Sequence, residues 1–152
     1  MISNQKQSAR ALMIFSGIWA GLVILFALSF FEIFYSPIWM RLVLAGIIGL
    51  VALFFYMGGY HFVRIEVENN KELMVKYYNL FPVGRNFKAF KIPLQNFHHH
   101  EIRFGAGGLT SYLILFQRMQ GGVAKYPPVG LSAVGKAGRQ EMSSFLRKLE
   151  KK

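Results

Sequence analysis

Two uncharged stretches near the N terminus decide the fold: ALMIFSGIWAGLVILFALSFF, residues 11–31, and LVLAGIIGLVALFFYMGGY, residues 42–60. They contain 21 and 19 residues. An α-helix rises about 1.5 Å per residue, so each stretch can cross the roughly 30 Å hydrocarbon core of a bilayer. Backbone inside lipid must hydrogen-bond internally, which favours helices. The sequence therefore predicts a transmembrane helical hairpin with a connecting loop at residues 32–41.

A cleaved signal peptide is the competing interpretation of the first stretch, since Lys6 and Arg10 precede an apolar run. The run is longer than the apolar core of a typical signal peptide, and no A-x-A cleavage pattern closes it. These two features favour an uncleaved membrane anchor.

Positive charge is concentrated after the apolar stretches. The 152 residues include 18 Lys and Arg against 7 Asp and Glu, a formal net charge of +11, and 15 of the basic residues follow Tyr60. Because Lys and Arg are enriched on the cytoplasmic side of membrane helices, we expect both termini in the cytoplasm and the 32–41 loop outside. The sequence contains no cysteine, which excludes a disulfide scaffold and thiol chemistry.

Small residues recur four positions apart in both stretches, and they allow helix backbones to approach closely in lipid. The expected helix-packing residues are Gly17, Gly21, Ala45 and Gly49. They could pack the two helices of the hairpin on each other or dock the hairpin onto another subunit. The short loop makes the two helices neighbours, which favours the first alternative.

From residue 61 the sequence changes to the alternation of apolar and polar residues that is typical of β-strands. Val63, Ile65 and Val67 alternate with polar residues, Asn69-Asn70 supplies a turn, and a matching strand follows. Further strands are predicted at about 86–92, 95–104, 111–119 and 123–126, with a short one after Pro127-Pro128.

The C-terminal segment predicts an amphipathic helix, because Met142, Phe145, Leu146 and Leu149 recur at helical spacing. Ser132 is the predicted N-cap. The predicted fold class is α+β. Residues 1–60 form the N-terminal tail and the hairpin, and residues 61–152 form a cytoplasmic antiparallel meander or partial barrel capped by the helix.

This order of elements resembles the small bacterial membrane proteins that carry a PH-like domain after two transmembrane helices. The resemblance covers nearly the whole chain and rests on the strand order, the Gly-rich turn at 105–108 and the final helix MSSFLRKL. It implies a bacterial inner-membrane location and a bent sheet whose open end the helix plugs. The basic motif of lipid-binding eukaryotic PH domains is absent, since RIEVENNKELMVKYY, residues 64–78, carries three Glu and ends in Tyr78. Phosphoinositide binding is therefore not implied.

The candidates for metal binding are His98 and His100, which would share one face of a strand about 6–7 Å apart. A polar strand facing solvent is the favoured alternative. The Gly-rich turn at 105–108 leads into a strand rather than a helix, so it does not predict a phosphate-binding loop. The sequence shows no nucleophile elbow and no convincing pair of acid–base carboxylates. We therefore expect no catalytic residue, no cofactor and no enzymatic activity.

Residues 61–152 carry 15 Lys and Arg against 6 Glu, a net charge of +9. Each basic residue near an anionic leaflet contributes about 1 kcal/mol of attraction. The expected contacts with anionic lipids or an acidic partner are Arg64, Arg85, Lys88 and Lys91. A solvated surface that follows from topology alone is an equal alternative. No nucleic-acid-binding motif is present, so nucleic acid is not an expected partner.

These observations predict a docking or scaffolding module in an accessory subunit of a larger membrane complex. Its expected partner is a membrane protein or a second copy of the chain. Sensing of anionic membrane lipids is the alternative function, and a metal site at His98 and His100 is a weaker one.

Overall fold

The computed structural model describes residues 1–31, 37–83 and 85–150. These residues form three α-helices: α1, Gln5–Leu28; α2, Ile38–Met57; and α3, Lys136–Glu150. The two apolar stretches are confirmed as long helices. Each helix begins before its uncharged run, at Gln5 and at Ile38, and ends three residues before the run does. Residues 32–36 of the predicted loop lie outside the described residues.

Both N-terminal helices are long and apolar enough to cross a membrane. Only 6% of the most apolar window of each helix is buried. The core helix of a water-soluble protein is mostly buried, because its apolar side chains must avoid water. The exposure of α1 and α2 therefore fits helices whose apolar surfaces face lipid.

Large side chains form the contact between α1 and α2. The rings of Phe15 and Phe55 stack with centroids 4.0 Å apart, and both side chains are buried. The predicted helix-packing residues are all exposed instead: Gly17, Gly21, Ala45 and Gly49. A Cβ placed on any of the three glycines would meet nothing within 4 Å. These four residues thus lie away from the contact between α1 and α2, and helix packing through them stays a prediction.

Two glycines, Gly58 and Gly59, follow the end of α2 and lead towards β2. The N–H of Gly58 donates to the carbonyl of Phe54 at 2.7 Å, and Gly59 has a φ of +72°. Glycine adopts this left-handed conformation without steric cost, so it commonly terminates helices. A Cβ on Gly59 would also lie 2.7 Å from the ring of Tyr112.

The described residues form eight strands in two antiparallel sheets. The first sheet has the order β1-β2-β3-β4, and the second has the order β5-β6-β7, with β8 also paired to β6. The α+β class and the antiparallel meander are confirmed, and the two sheets do not close into one barrel. The strands are β1, Ile2–Ser3; β2, His61–Glu68; β3, Glu72–Asn79; β4, Lys88–Pro93; β5, Phe97–Gly105; β6, Thr110–Met119; β7, Gly122–Lys125; and β8, Val129–Gly130.

The predicted hairpin between β2 and β3 is confirmed. Glu68 pairs with Glu72 at its tip, and Asn69 and Asn70 have φ values of 51° and 54°. Two consecutive positive φ values match a turn that follows the right-handed twist of the strands, and asparagine tolerates them better than most residues. The apolar residues of both strands therefore face the same side of the sheet.

The core lies between the inner faces of the two sheets and is closed by α3. Ile65 of β2, Leu113 of β6 and Leu146 of α3 are each 0% exposed. Met142 joins them on the same helical stripe, as predicted. The predicted N-cap Ser132 is wrong, because α3 begins at Lys136 and the Ser132 hydroxyl donates to the carbonyl of Gly58.

β1 is the element that no pattern in the sequence predicted. Ile2 pairs with Ile65 and Ser3 with Arg64, so the N terminus adds a strand to the first sheet. α1 begins directly afterwards at Gln5. The start of α1 and the end of α2 therefore lie at the same end of residues 61–150. We call residues 61–150 the β domain and this end of it the helix end.

Candidate binding surface

A groove with an aromatic floor lies on the outer face of the first sheet, towards the helix end. The ring of Phe62 stacks on that of Tyr78 with centroids 5.0 Å apart, and Phe87 packs against Tyr78 at 4.7 Å. The groove encloses about 290 Å³. Its lining combines these rings with three cations: Phe62, Tyr78, Phe87, Arg64, Lys76 and Lys88. We call it the basic groove.

Positive charge exceeds negative charge in the basic groove. Glu66 is the carboxylate beside it, and it accepts from Lys76 Nζ and from Arg64, both at 2.9 Å. The hydrogen bond from Lys76, followed by that from Arg64, lowers the pKa of Glu66. Lys88 is exposed and forms no ion pair with any described residue. The groove therefore keeps an unneutralised cation next to aromatic rings, which suits an anionic group attached to an apolar body.

The structure brings together two of the four predicted basic residues. Arg64 and Lys88 line the basic groove, and Arg85 is exposed three residues before Lys88. Lys91 lies towards the far end of the sheet, where it pairs with Glu68 at 2.7 Å and Glu72 at 3.2 Å. These two carboxylates raise the pKa of Lys91. Lys91 is therefore already neutralised and does not contribute to the groove.

Sequence reasoning missed Lys76, although the signal was available. Arg64 lies opposite Lys76 in the register of β2 and β3. Counting back from the Asn69-Asn70 turn gives this pairing directly, because residues opposite each other in an antiparallel hairpin share a face. The aromatic pair of Phe62 and Tyr78 follows from the same count.

A smaller polar recess of about 150 Å³ lies beside the groove, between the first sheet and α2. Its lining includes His61, Tyr77, Asn86 and Lys88. The Nδ1 atom of His61 accepts a hydrogen bond from the N–H of Gly130 at 3.0 Å. Burial lowers the pKa of this histidine, and the charge of Lys88 adds a smaller effect in the same direction. His61 is therefore neutral at neutral pH.

Hydrogen bonds from the β domain satisfy the carbonyls at the end of α2. Asn79 donates its side-chain N–H to Tyr56 O at 3.0 Å. Ser132 donates its hydroxyl to Gly58 O at 2.5 Å and its backbone N–H to Gly59 O at 3.2 Å. Carbonyls at helix ends lack partners within the helix. The β domain supplies them, which fixes its orientation relative to α2.

The three consecutive histidines have structural partners. The backbone N–H of His100 donates to Glu150 at 2.7 Å, and its ring contacts Glu150 through Nδ1 and Ser143 through Nε2 at 2.8 Å. A register shift between Phe97 and His99 places His98 against the ring of His99.

His100 thus joins β5 to the last turn of α3. The described part of the chain contains no cluster of three metal-ligand side chains. A metal site at His98 and His100 stays a prediction.

Comparisons with known proteins add no family to this geometry. No protein-family model, no curated protein and no solved structure matches the chain. The description of the fold and of the basic groove therefore rests on the residues of this chain alone.

Proposed function

We propose that this chain is a non-enzymatic protein of the bacterial inner membrane whose β domain is a PH-like docking module. Two apolar helices anchor it, both termini are cytoplasmic, and it serves as an accessory subunit of a larger membrane complex. The distribution of Lys and Arg supports this topology. The pairing of β1 with β2 supports it too, since it holds the N terminus beside the β domain.

The basic groove is the observation that carries the docking proposal. Its aromatic floor gives apolar contact area, and Lys76, Lys88 and Arg64 give it a cationic rim. Interfaces favour aromatic residues and arginine in this way. The hydrogen bonds of Ser132 and Asn79 hold the groove in a fixed orientation to the helices. The proposed occupant is an acidic segment of a neighbouring membrane protein.

Site-specific photocrosslinking in intact cells tests this proposal. A photoreactive benzoylphenylalanine replaces Phe87 in the groove or, as the control, Val123, which is also exposed but lies on β7. We expect a discrete protein adduct from position 87 that Lys88→Glu abolishes and Lys125→Glu does not. Equal adducts from both positions, or an adduct that survives Lys88→Glu, would contradict docking at the groove.

Binding of anionic lipid is the second candidate, and the positions of Arg85 and Lys88 favour it. Both are exposed, neither forms an ion pair with a described residue, and both lie at the helix end. Native mass spectrometry of the full chain with phosphatidylglycerol or phosphatidylcholine tests it. Retention of phosphatidylglycerol alone, lost in Arg85→Gln/Lys88→Gln, would support lipid recognition. Equal retention of both lipids would count against it.

A further inference from the structure

Exposed apolar side chains of the β domain concentrate at the helix end. Among the described residues of positions 61–150, six large apolar side chains are exposed. Four lie in or directly beside two loops at the helix end: Val83 at 73%, Phe87 at 78%, Phe104 at 61% and Leu109 at 68%. The other two, Met119 and Val123, flank the turn between β6 and β7 at the far end.

The first loop connects β3 to β4 and contacts both long helices. Its described residues are 80–83 and 85–87. The ring of Phe81 lies 5.4 Å from that of Tyr56 in α2 and 6.1 Å from that of Phe15 in α1. Phe15 is buried against Phe55, inside the apolar part of the hairpin. The first loop therefore reaches the level at which the uncharged helical surface begins.

The second loop, residues 106–109, connects Gly105 at the end of β5 to the start of β6. Gly105 and Ala106 line a groove of about 530 Å³ together with Leu50, Leu53 and Met57 of α2. Leu50 precedes the end of α2 by seven residues, which is about 10 Å along a helix. The second loop therefore lies beside the last two turns of α2, next to side chains that are themselves exposed.

We propose that both loops insert into the interface of the bilayer that holds α1 and α2. The apolar tips Val83 and Leu109 enter the region between headgroups and acyl chains, and the exposed cation Arg85 stays at headgroup level. Three observations favour lipid as the partner of these loops. The loops are continuous with the apolar surface of α1 and α2, and both lie at the helix end of the β domain. The positive charge of Arg85 complements anionic headgroups. Burial of such side chains at a lipid boundary is favourable because it removes apolar area from water.

This inference rests on the proposed membrane anchoring and adds a second, peripheral contact to it. It is independent of whether the basic groove binds a protein. Insertion of the two loops would fix the distance between the basic groove and the bilayer surface.

Depth measurement by spin labelling tests the insertion. The chain has no cysteine, so single-cysteine variants of the full protein need no background substitutions. Val83→Cys and Leu109→Cys carry a nitroxide, with Met119→Cys and Val123→Cys as exposed controls at the far end and Ile18→Cys as the reference inside α1. Each variant is reconstituted in nanodiscs of phosphatidylcholine and phosphatidylglycerol. Collision rates with oxygen, which partitions into lipid, and with a water-soluble nickel chelate give the depth.

We expect the oxygen-to-nickel ratio at positions 83 and 109 to exceed that at 119 and 123 by at least about threefold. Loop insertion would be overturned if the ratios at positions 83 and 109 equalled those at 119 and 123 while position 18 showed the high ratio of a lipid-exposed site. That result would leave the membrane anchor intact. A water-like value at position 18 would overturn the membrane anchor itself, and the insertion with it.

Discussion

Asn4 and Val63 are joined by two hydrogen bonds. The backbone N–H of Asn4 donates to Val63 O at 3.1 Å, and the side-chain Oδ1 of Asn4 accepts from the N–H of Val63 at 2.8 Å. The side-chain N–H of Asn4 also donates to His61 O at 2.9 Å. Asn4 is 2% exposed, so these bonds are shielded from water. Asn4 thus continues the pairing of β1 with β2 through its backbone and its side chain, directly before α1 begins at Gln5.

Asn4→Ala should destabilise this junction. It removes the partners of the Val63 N–H and the His61 carbonyl, and an unsatisfied buried polar group costs about 1–3 kcal/mol. Thermal unfolding in detergent micelles should show a lower melting temperature, and the Val63 amide should exchange faster with deuterium. Gln5→Ala is the matched control, because Gln5 is its exposed neighbour. Equal behaviour of the two variants would show that the Asn4 side chain does not hold the junction.

Phe15→Ala should weaken the hairpin, whereas Gly17→Leu should not. Phe15 stacks on Phe55, while a Cβ on Gly17 meets open space. We expect a loss of about 3 kcal/mol, the lower end of the cost in water-soluble cores, since lipid is itself apolar. Steric trapping or thermal unfolding in nanodiscs measures it. A larger loss from Gly17→Leu than from Phe15→Ala would place the small residues at a contact that stabilises the protein.

Acid should destabilise the protein through His61. Its pKa is lowered below the ordinary value of 6.5, so the unfolded chain takes up a proton at a higher pH than the folded chain. The stability contributed by neutral His61 is complete above pH 6.5 and declines as the pH falls towards the lowered value. His61→Asn keeps a hydrogen-bond acceptor for Gly130 but cannot titrate. Melting temperatures between pH 8 and pH 5 should fall less for His61→Asn than for the unaltered protein, and parallel curves would refute the assignment.

Lys88 and Lys91 should contribute differently to docking at the basic groove although they lie on the same strand. Lys88 is exposed without an ion pair among the described residues, and Lys91 is neutralised by Glu68 and Glu72. Lys88→Gln should reduce the photocrosslinked adduct at position 87 several-fold, and Lys91→Gln should leave it unchanged. Both variants lose one positive charge, so a difference reports position rather than net charge. Equal losses would indicate that only the overall charge matters.

His100→Ala should loosen the end of α3, because it removes both ring contacts with Glu150 and Ser143. Hydrogen exchange of residues 146–150 should become faster, and His98→Ala, whose ring contacts His99, should not change it. Elemental analysis of the same two variants tests the metal hypothesis. Stoichiometric metal that is lost in both variants would favour a metal site over the structural role of His100.

The sequence predicted those parts of the fold that depend on local patterns. The helices follow from uncharged runs, and the β2–β3 hairpin follows from alternation about an Asn-Asn turn, because neighbouring residues alone determine both features. β1 could not be predicted, since two residues carry no periodicity and their partner strand lies about 60 positions away. The N-cap was misassigned to Ser132 for the same reason: a serine before an amphipathic run fits the local pattern, but its hydroxyl bonds Gly58, 74 positions away.

The candidate site was predicted only in part. Composition identified Arg64 and Lys88 but could not separate them from Lys91, because strand register and ion pairing decide which charges remain available. The spacing of the small residues fits any neighbouring helix, and in the structure they lie away from the contact between α1 and α2. The stacking of Phe15 on Phe55 determines which face is used.

The junctions at Asn4 and Ser132 attach the β domain to the hairpin at two points, one at the start of α1 and one at the end of α2. A body held at two points cannot swivel as it would on a single linker. Transmembrane helices change their tilt when the bilayer becomes thicker or thinner. With α1 and α2 in the bilayer as proposed, any such tilt would turn the whole β domain with it, so bilayer thickness would set the direction in which the basic groove points.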